Sequence, residues 1–172
     1  MKFIMLNGHS CGGKSTIVKR LMAERGRLYQ LSYNSQKWLF SKYSHATHHE
    51  DVLTLLLAIA ESVCGVKYDI ISDGGLFRET REKLFDIARR HGHEITEINL
   101  EASFEVLEKR FADRLESTKV DPTRKISNTS KDRFKELYDI YEAEKNPSAI
   151  TLHTDEQDID AVFRTVQEII FR

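Results

Sequence analysis

Short, unbroken apolar runs alternate along the chain with longer stretches in which apolar residues recur every three or four positions. Phe3-Ile-Met-Leu6 is continuous rather than alternating, the pattern of a strand in a parallel sheet covered on both faces. A glycine-rich turn at 8–13 follows, then a helix through about Glu24, stopping near Gly26. Leu28–Tyr33 reads as a second strand, and residues 35–46, with Trp38, Phe40 and Tyr43, as a short helix and a loop. Glu50 and Asp51 open a helix to about Cys64, acids at its start suiting the helix dipole. Tyr68–Ser72 is a third strand, Leu76–His91 a helix and Glu94–Leu100 a fourth strand. Phe104, Leu107, Phe111 and Leu115 stripe the next helix, and residues 117–129, polar and containing Pro122, read as a mobile loop. Phe134, Leu137, Tyr138 and Tyr141 mark another helix, Ala149–Leu152 a fifth strand, and Ile159, Val162, Phe163, Val166 and Ile170 a closing helix. Strand–helix alternation of this kind implies a parallel α/β sheet with right-handed crossovers.

Composition narrows the picture only modestly. The 172 residues suit one domain with a full core around the sheet. A formal net charge of -1 gives no global basic field, so nucleic acid is not the expected main partner. Two cysteines, Cys11 and Cys64, are too few for a disulfide framework and fit a reducing compartment. The first apolar run is too short for a signal peptide, and Val52–Ala60 is too short to span a bilayer, so a cytoplasmic location is expected.

The most informative segment is Gly8-His-Ser-Cys-Gly-Gly13-Lys14-Ser15, which matches G-x-x-x-x-G-K-[ST] without a substitution. Glycines allow a sharp turn whose N–H groups point inward as an anion nest, and the helix that begins near Lys14 adds its positive end. Gly8, His9, Ser10, Cys11, Gly12, Gly13, Lys14, Ser15 and Thr16 are therefore the expected phosphate-binding residues, with ATP as the expected nucleotide. Lys14 would bridge the β- and γ-phosphates and the Ser15 hydroxyl would ligate Mg²⁺. Cys11 sits inside this nest, which would favour its thiolate, although a small tolerated loop residue is the simpler reading.

Other residues fall where chemistry would need them. Asp73 ends a buried strand, at the sheet edge where ligands of open α/β folds gather. It suits either the Mg²⁺ shell or acceptance of a proton from an alcohol; a turn-forming Asp before Gly74-Gly75 is the plainer alternative. Arg110 and Arg114, four apart beside the apolar stripe, precede the polar segment with Lys119, Arg124 and Lys125. Positive side chains beside a lid over about 114–130 would stabilise charge on a transferred phosphoryl group. Arg78 and Arg81 follow Asp73 and would bind an anionic group of a substrate, unless they simply face solvent. His45, His48 and His49 lack a metal-site pattern and read as a polar loop. The apolar helix Val52–Cys64 implies burial or a subunit contact.

With these residues in place, the chain resembles the P-loop small-molecule kinases of the polynucleotide-kinase, zeta-toxin and chloramphenicol-phosphotransferase type. The resemblance implies a five-stranded parallel sheet of order 2-3-1-4-5, helices on both faces and a helical lid. It also implies Asp73 with Arg81 or Arg78 after the third strand, Lys109-Arg110-x-x-x-Arg114 leading into the lid, and Thr154-Asp155 as a turn beside adenine. One departure stands out. Many such kinases carry an aspartate after the second strand as base for the acceptor hydroxyl, whereas this chain has Ser32-Tyr-Asn34-Ser35. Asn34 orients a hydroxyl but cannot take its proton. Either Asp73 does that work or the acceptor needs little base assistance, which loose phosphoryl transfer tolerates.

The expected activity is ATP-dependent phosphorylation of a hydroxyl on a small molecule, with Asn34, Trp38, Arg78 and Arg81 on the acceptor side and Tyr43 offering a further flat contact. Competing readings are a nucleoside or nucleotide kinase, a nucleotide-gated module without transfer chemistry, and a kinase of nucleic-acid strand ends. A regulatory GTPase is disfavoured: no glycine lies three residues after Asp73, and no Asn-Lys-x-Asp motif follows a strand.

Overall fold

The computed structural model describes residues 1–73, 77–120 and 130–171. Among these, five strands form one sheet: β1 (Lys2–Gly8), β2 (Leu28–Leu31), β3 (Asp69–Ser72), β4 (Glu94–Glu101) and β5 (Ile150–His153). Every pairing is parallel and the order is β2-β3-β1-β4-β5, the arrangement expected of a P-loop fold. β1 is central, and Phe3, Ile4, Met5 and Leu6 are all fully buried, which explains their unbroken apolar run.

Alternate residues of β1 feed two separate cores. Ile4 and Leu6 pack with Ile17, Val18 and Leu21 of helix α1 (Lys14–Glu24) and, across the layer, with residues such as Val162 and Val166 of the last helix. Phe3 and Met5 face Leu56, Ala60 and Cys64 of α3 (His45–Gly65) and Leu84, Phe85 and Ala88 of α4 (Arg78–Arg90). Between β2 and α3 lies the short helix α2 (Tyr33–Lys37). A third, smaller cluster joins α5 (Phe104–Val120) to α6 (Lys131–Glu144), with Phe111 stacked on Phe134 at 4.5 Å. The final helix, α7 (Ile159–Phe171), closes the chain.

Several boundaries differ from the sequence reading, each for a local reason. The second strand ends at Leu31 because Ser32, extended and buried, caps α2 by accepting the Ser35 N–H at 3.3 Å. His45, His48 and His49 form the first turns of α3 instead of a loop, so Glu50 and Asp51 lie beyond its first turn. The imidazoles themselves organise that start: the Ser44 N–H donates to His48 Nδ1 at 3.0 Å, and His45 stacks on His49 at 4.3 Å. Among the described residues no group of three or more His, Cys, Asp and Glu is placed to hold a metal ion. α3 buries Val52, Leu56, Ala60 and Cys64, one residue per turn, and leaves Leu55 exposed, so the helix is one-sided rather than buried all round. α5 runs on to Val120, so residues 114–120 of the expected lid are helical, while residues 121–129, with Pro122, Arg124 and Lys125, lie outside the described residues, as do Gly74 and Gly75. No helix among the described residues is long and apolar enough to cross a membrane.

Candidate active site

The phosphate loop leaves β1 at Gly8 and enters α1 at Lys14. Gly8 has φ +146, and a Cβ there would collide with the Leu100 carbonyl oxygen, so the loop can cross β4 this closely only with glycine. Gly13, at φ +93, is the N-cap of α1 and offers no side chain to its first turn. The helix start is thereby left to an outside anion. Cys11 adopts the left-handed conformation too, at φ 66, and packs on the α5–α6 cluster.

Lys14 curls back over its own loop, its Nζ donating to the Gly8 and His9 carbonyls at 2.7 Å each. Burial pulls the ammonium down to about 8, against the attraction of Asp73 and with a further push from Arg114. Ser15 and Thr16 are exposed on the same turn.

Asp73 follows β3 and is 8% exposed. Burial raises its carboxyl above the usual carboxylate range, opposed by a hydrogen bond from Ser32, the charge of Lys14 and a hydrogen bond from Gln30. The Gln30 amide donates to Asp73 Oδ2 at 3.3 Å. Gln30 and Ser32 were not singled out in the sequence; the parallel register that sets Leu31 opposite Ser72 brings them there.

The two arginines of α5 have separate stations. Arg110 grips the turn after β5, with Nη1 donating to Thr154 Oγ1 at 2.9 Å and Nη2 to the Thr154 carbonyl at 2.7 Å. Together with Cys11, Gly13, Thr16, Asp158 and Ile159 they line a cleft of about 390 Å³ against the phosphate loop. Arg114, one turn on, is the arginine that bears on Lys14, and its buried Nε has no hydrogen-bond partner among the described residues. Asp155 turns away from that cleft and accepts the Ser103 N–H at 2.7 Å, which holds its carboxyl below the usual range. Thr154, buried, is the member of the Thr-Asp pair that faces the loop.

Of the residues expected on the acceptor side, Asn34 is exposed on α2 and Trp38 is half-buried at its end. Arg78 is exposed, whereas Arg81 is turned inward and buried. Its Nε lies 3.1 Å from Glu97 Oε1, off the hydrogen-bond axis, and Nη2 donates to the Glu144 carbonyl at 3.2 Å. Asn7 and Asn146 complete the coordination of Glu97 at 2.7 Å and 2.6 Å. This buried network ties α4 and the end of α6 to the sheet.

His9 is a further link that the motif gave no sign of. It is 3% exposed, stacked on Tyr138 at 4.2 Å and edge-on to Tyr141 at 4.3 Å. Its Nε2 lies 2.9 Å from Glu142, yet burial outweighs that carboxylate and pulls the imidazole down to about 4. A neutral His9 donating to Glu142 thus fastens the phosphate loop to α6.

The chain belongs to the AAA domain family, which it matches over residues 3–137. Its fold is that of P-loop kinases. At 16% identity and a TM-score of 0.64 it resembles Mycobacterium tuberculosis APS kinase CysC, solved with AMPPNP and APS, over 98% of this chain and 96% of that one. Chaetomium thermophilum Kti12, solved with ADP-AlF3, aligns at 17% identity and a TM-score of 0.67, over 99% and 100% of the two chains. A Sinorhizobium meliloti gluconokinase aligns at 18% identity and a TM-score of 0.63, over 95% and 87%. No curated protein sequence matches the chain.

Proposed function

We propose that the protein transfers the γ-phosphoryl group of ATP to a hydroxyl of a small molecule, as a kinase of the polynucleotide-kinase, zeta-toxin and chloramphenicol-phosphotransferase type. The observation that carries this reading is a buried Asp73 at the carboxyl edge of the sheet, within electrostatic reach of Lys14, on which Arg114 also bears. A phosphate grip alone would need only the loop; a buried carboxylate facing it supplies the second half of a transfer site.

The phosphates of ATP lie in the loop, with the base in the cleft between Arg110–Thr154 and α1. The acceptor oxygen attacks the γ-phosphorus, the bond to the β-bridging oxygen breaks and ADP departs. The proton of the hydroxyl goes to Asp73, whose raised carboxyl suits a base near neutrality better than an ordinary aspartate does. Arg114 and Lys14 offset charge on the moving group. The exposed Ser15 hydroxyl is a hard oxygen donor that fits Mg²⁺, which when bound would neutralise phosphate charge. Gln30 and Ser32 orient Asp73, so the missing acid at Asn34 leaves a base in place.

Lys14→Ala tests the donor half: ATP affinity measured by calorimetry falls at least about tenfold, since one charge-assisted contact to phosphate is lost. Unchanged affinity would remove the loop from the account. The rival reading, a gated binding module, predicts tight ATP binding and no acceptor-stimulated ADP release in a screen of nucleosides, sugars, polyols and hydroxylated antibiotics.

A further inference from the structure

The phosphate loop is gripped from the side by groups that the transfer chemistry does not use. His9 and Cys11 flank Ser10 in the loop, and both pack against the α5–α6 pair. Cys11, left-handed at φ 66, rests on the cluster that contains Phe111 and Phe134. The buried His9 ring lies face-to-face with Tyr138 at 4.2 Å and edge-on to Tyr141 at 4.3 Å, and its Nε2 is 2.9 Å from Glu142. All three of these partners belong to α6.

The backbone of His9 works on the phosphate side. Its carbonyl accepts the Lys14 ammonium at 2.7 Å and the Gly12 N–H at 3.1 Å, so it closes the turn at 9–12 and aims the lysine. One residue therefore joins α6 to the part of the loop that phosphate would meet. A non-glycine residue stays left-handed only where its surroundings hold it, and Cys11 draws that support from the α5–α6 cluster. The pair itself is anchored by this small cluster and by polar contacts at the end of α6, whereas β1 and α1 sit in a larger core. α6 is thus the partner that can open while the sheet stays folded. With α6 seated the loop is preformed; without it, incoming phosphates must order the turn themselves, which weakens binding.

We propose that His9 is a positioning residue that couples the seating of α6 to phosphate affinity: α6 docked on the His9 ring holds the loop in its binding form, and bound nucleotide holds α6 down. His9 acts through Lys14 and the turn at 9–12, not by touching the nucleotide with its ring. This rests on the ATP-binding half of the reading above and needs neither acceptor nor phosphoryl transfer. Such coupling is reciprocal, so the factor by which seated α6 tightens nucleotide equals the factor by which nucleotide tightens α6.

The experiment titrates the full chain with AMPPNP and Mg²⁺ by calorimetry, then compares hydrogen exchange of the free and saturated protein. Amides of α6 that exchange faster than those of β1, and hence by local opening, slow about fivefold or more on saturation. Glu142→Ala removes the acceptor of the His9 ring from a partly exposed position on α6. By charge alone, loss of a carboxylate near the loop would strengthen binding of an anion. Coupling predicts the opposite sign: AMPPNP binds about fivefold more weakly or worse, and its effect on α6 exchange shrinks. Glu142→Gln, equally uncharged but still able to accept from Nε2, recovers most of both. The wild-type exchange comparison needs no variant and stands even if Glu142→Ala folds poorly. Nucleotide binding with unchanged α6 exchange overturns the proposal and keeps the ATP reading. So does equal or tighter binding by Glu142→Ala, or a loss that Glu142→Gln does not recover. Absence of AMPPNP binding to the wild type refutes the ATP reading and the proposal together.

Discussion

His9 shows how one residue of a phosphate motif acquires a second duty. Its carbonyl accepts Lys14, while its ring is sandwiched by Tyr138 and Tyr141 and bonded to Glu142. Folding lowers its titration from the ordinary 6.5 to about 4. Between those values the unfolded chain binds more protons than the folded one, so stability falls as pH drops from 6.5 towards 4 and is unaffected above 6.5. The loss amounts to at most about 3 kcal/mol. Urea unfolding across this range checks it: His9→Phe flattens the acid limb, and an equally steep limb in the variant would show that other groups cause it. The second residue-scale consequence concerns the arginines after Asp73. Arg81→Ala leaves Glu97 buried without its ion-pair partner and lowers stability by about 3–5 kcal/mol. Arg78→Ala, on an exposed side chain, changes stability by less than about 0.5 kcal/mol. Melting temperatures decide between this assignment and a surface role for both.

Among the elements, the sheet and its two large cores differ from the α5–α6 pair. β1, β3 and β4 lie between packed layers, whereas α5 and α6 are held by the small cluster around Phe111 and Phe134 and by the His9 and Glu97 contacts. Local opening therefore costs least in that pair. Hydrogen exchange is expected to be fastest in α5 and α6 and slowest in β1, with Phe134→Ala accelerating the pair selectively; uniform exchange across both regions would argue against separate units. Element identity was legible from periodicity where β1 is a continuous apolar run and the long helices carry apolar stripes. The start of α3 was not, since histidines have middling helix propensity and the acids at 50 and 51 imitate a first turn. Its true start depends on imidazole contacts that only the folded chain supplies.

For the molecule as a whole, the fold sets the cleft of Arg110 and Thr154 on the β4–β5 side of the phosphate loop and the short helix α2 after the edge strand β2, beyond β3. Gly8–Ser15 was readable in the sequence because its chemistry resides in contiguous residues. Asp73 was readable from its position after a strand. The division of labour between Arg110 and Arg114 was not, because four residues on one helix look equivalent until Thr154 is seen to claim the first. Gln30 and Ser32 were not legible as neighbours of Asp73, because strand register, not sequence distance, brings them there. The central claim is that Asp73 completes a transfer site for the group held by Lys14. It is tested most directly by following label from γ-³²P ATP into a phosphate ester of an acceptor found by the screen, with wild type and Asp73→Asn compared. The account predicts labelled ester from the wild type and a fall of about 10²–10⁴-fold in kcat for the variant, the usual worth of a general base. Equal ester formation by both proteins would contradict it.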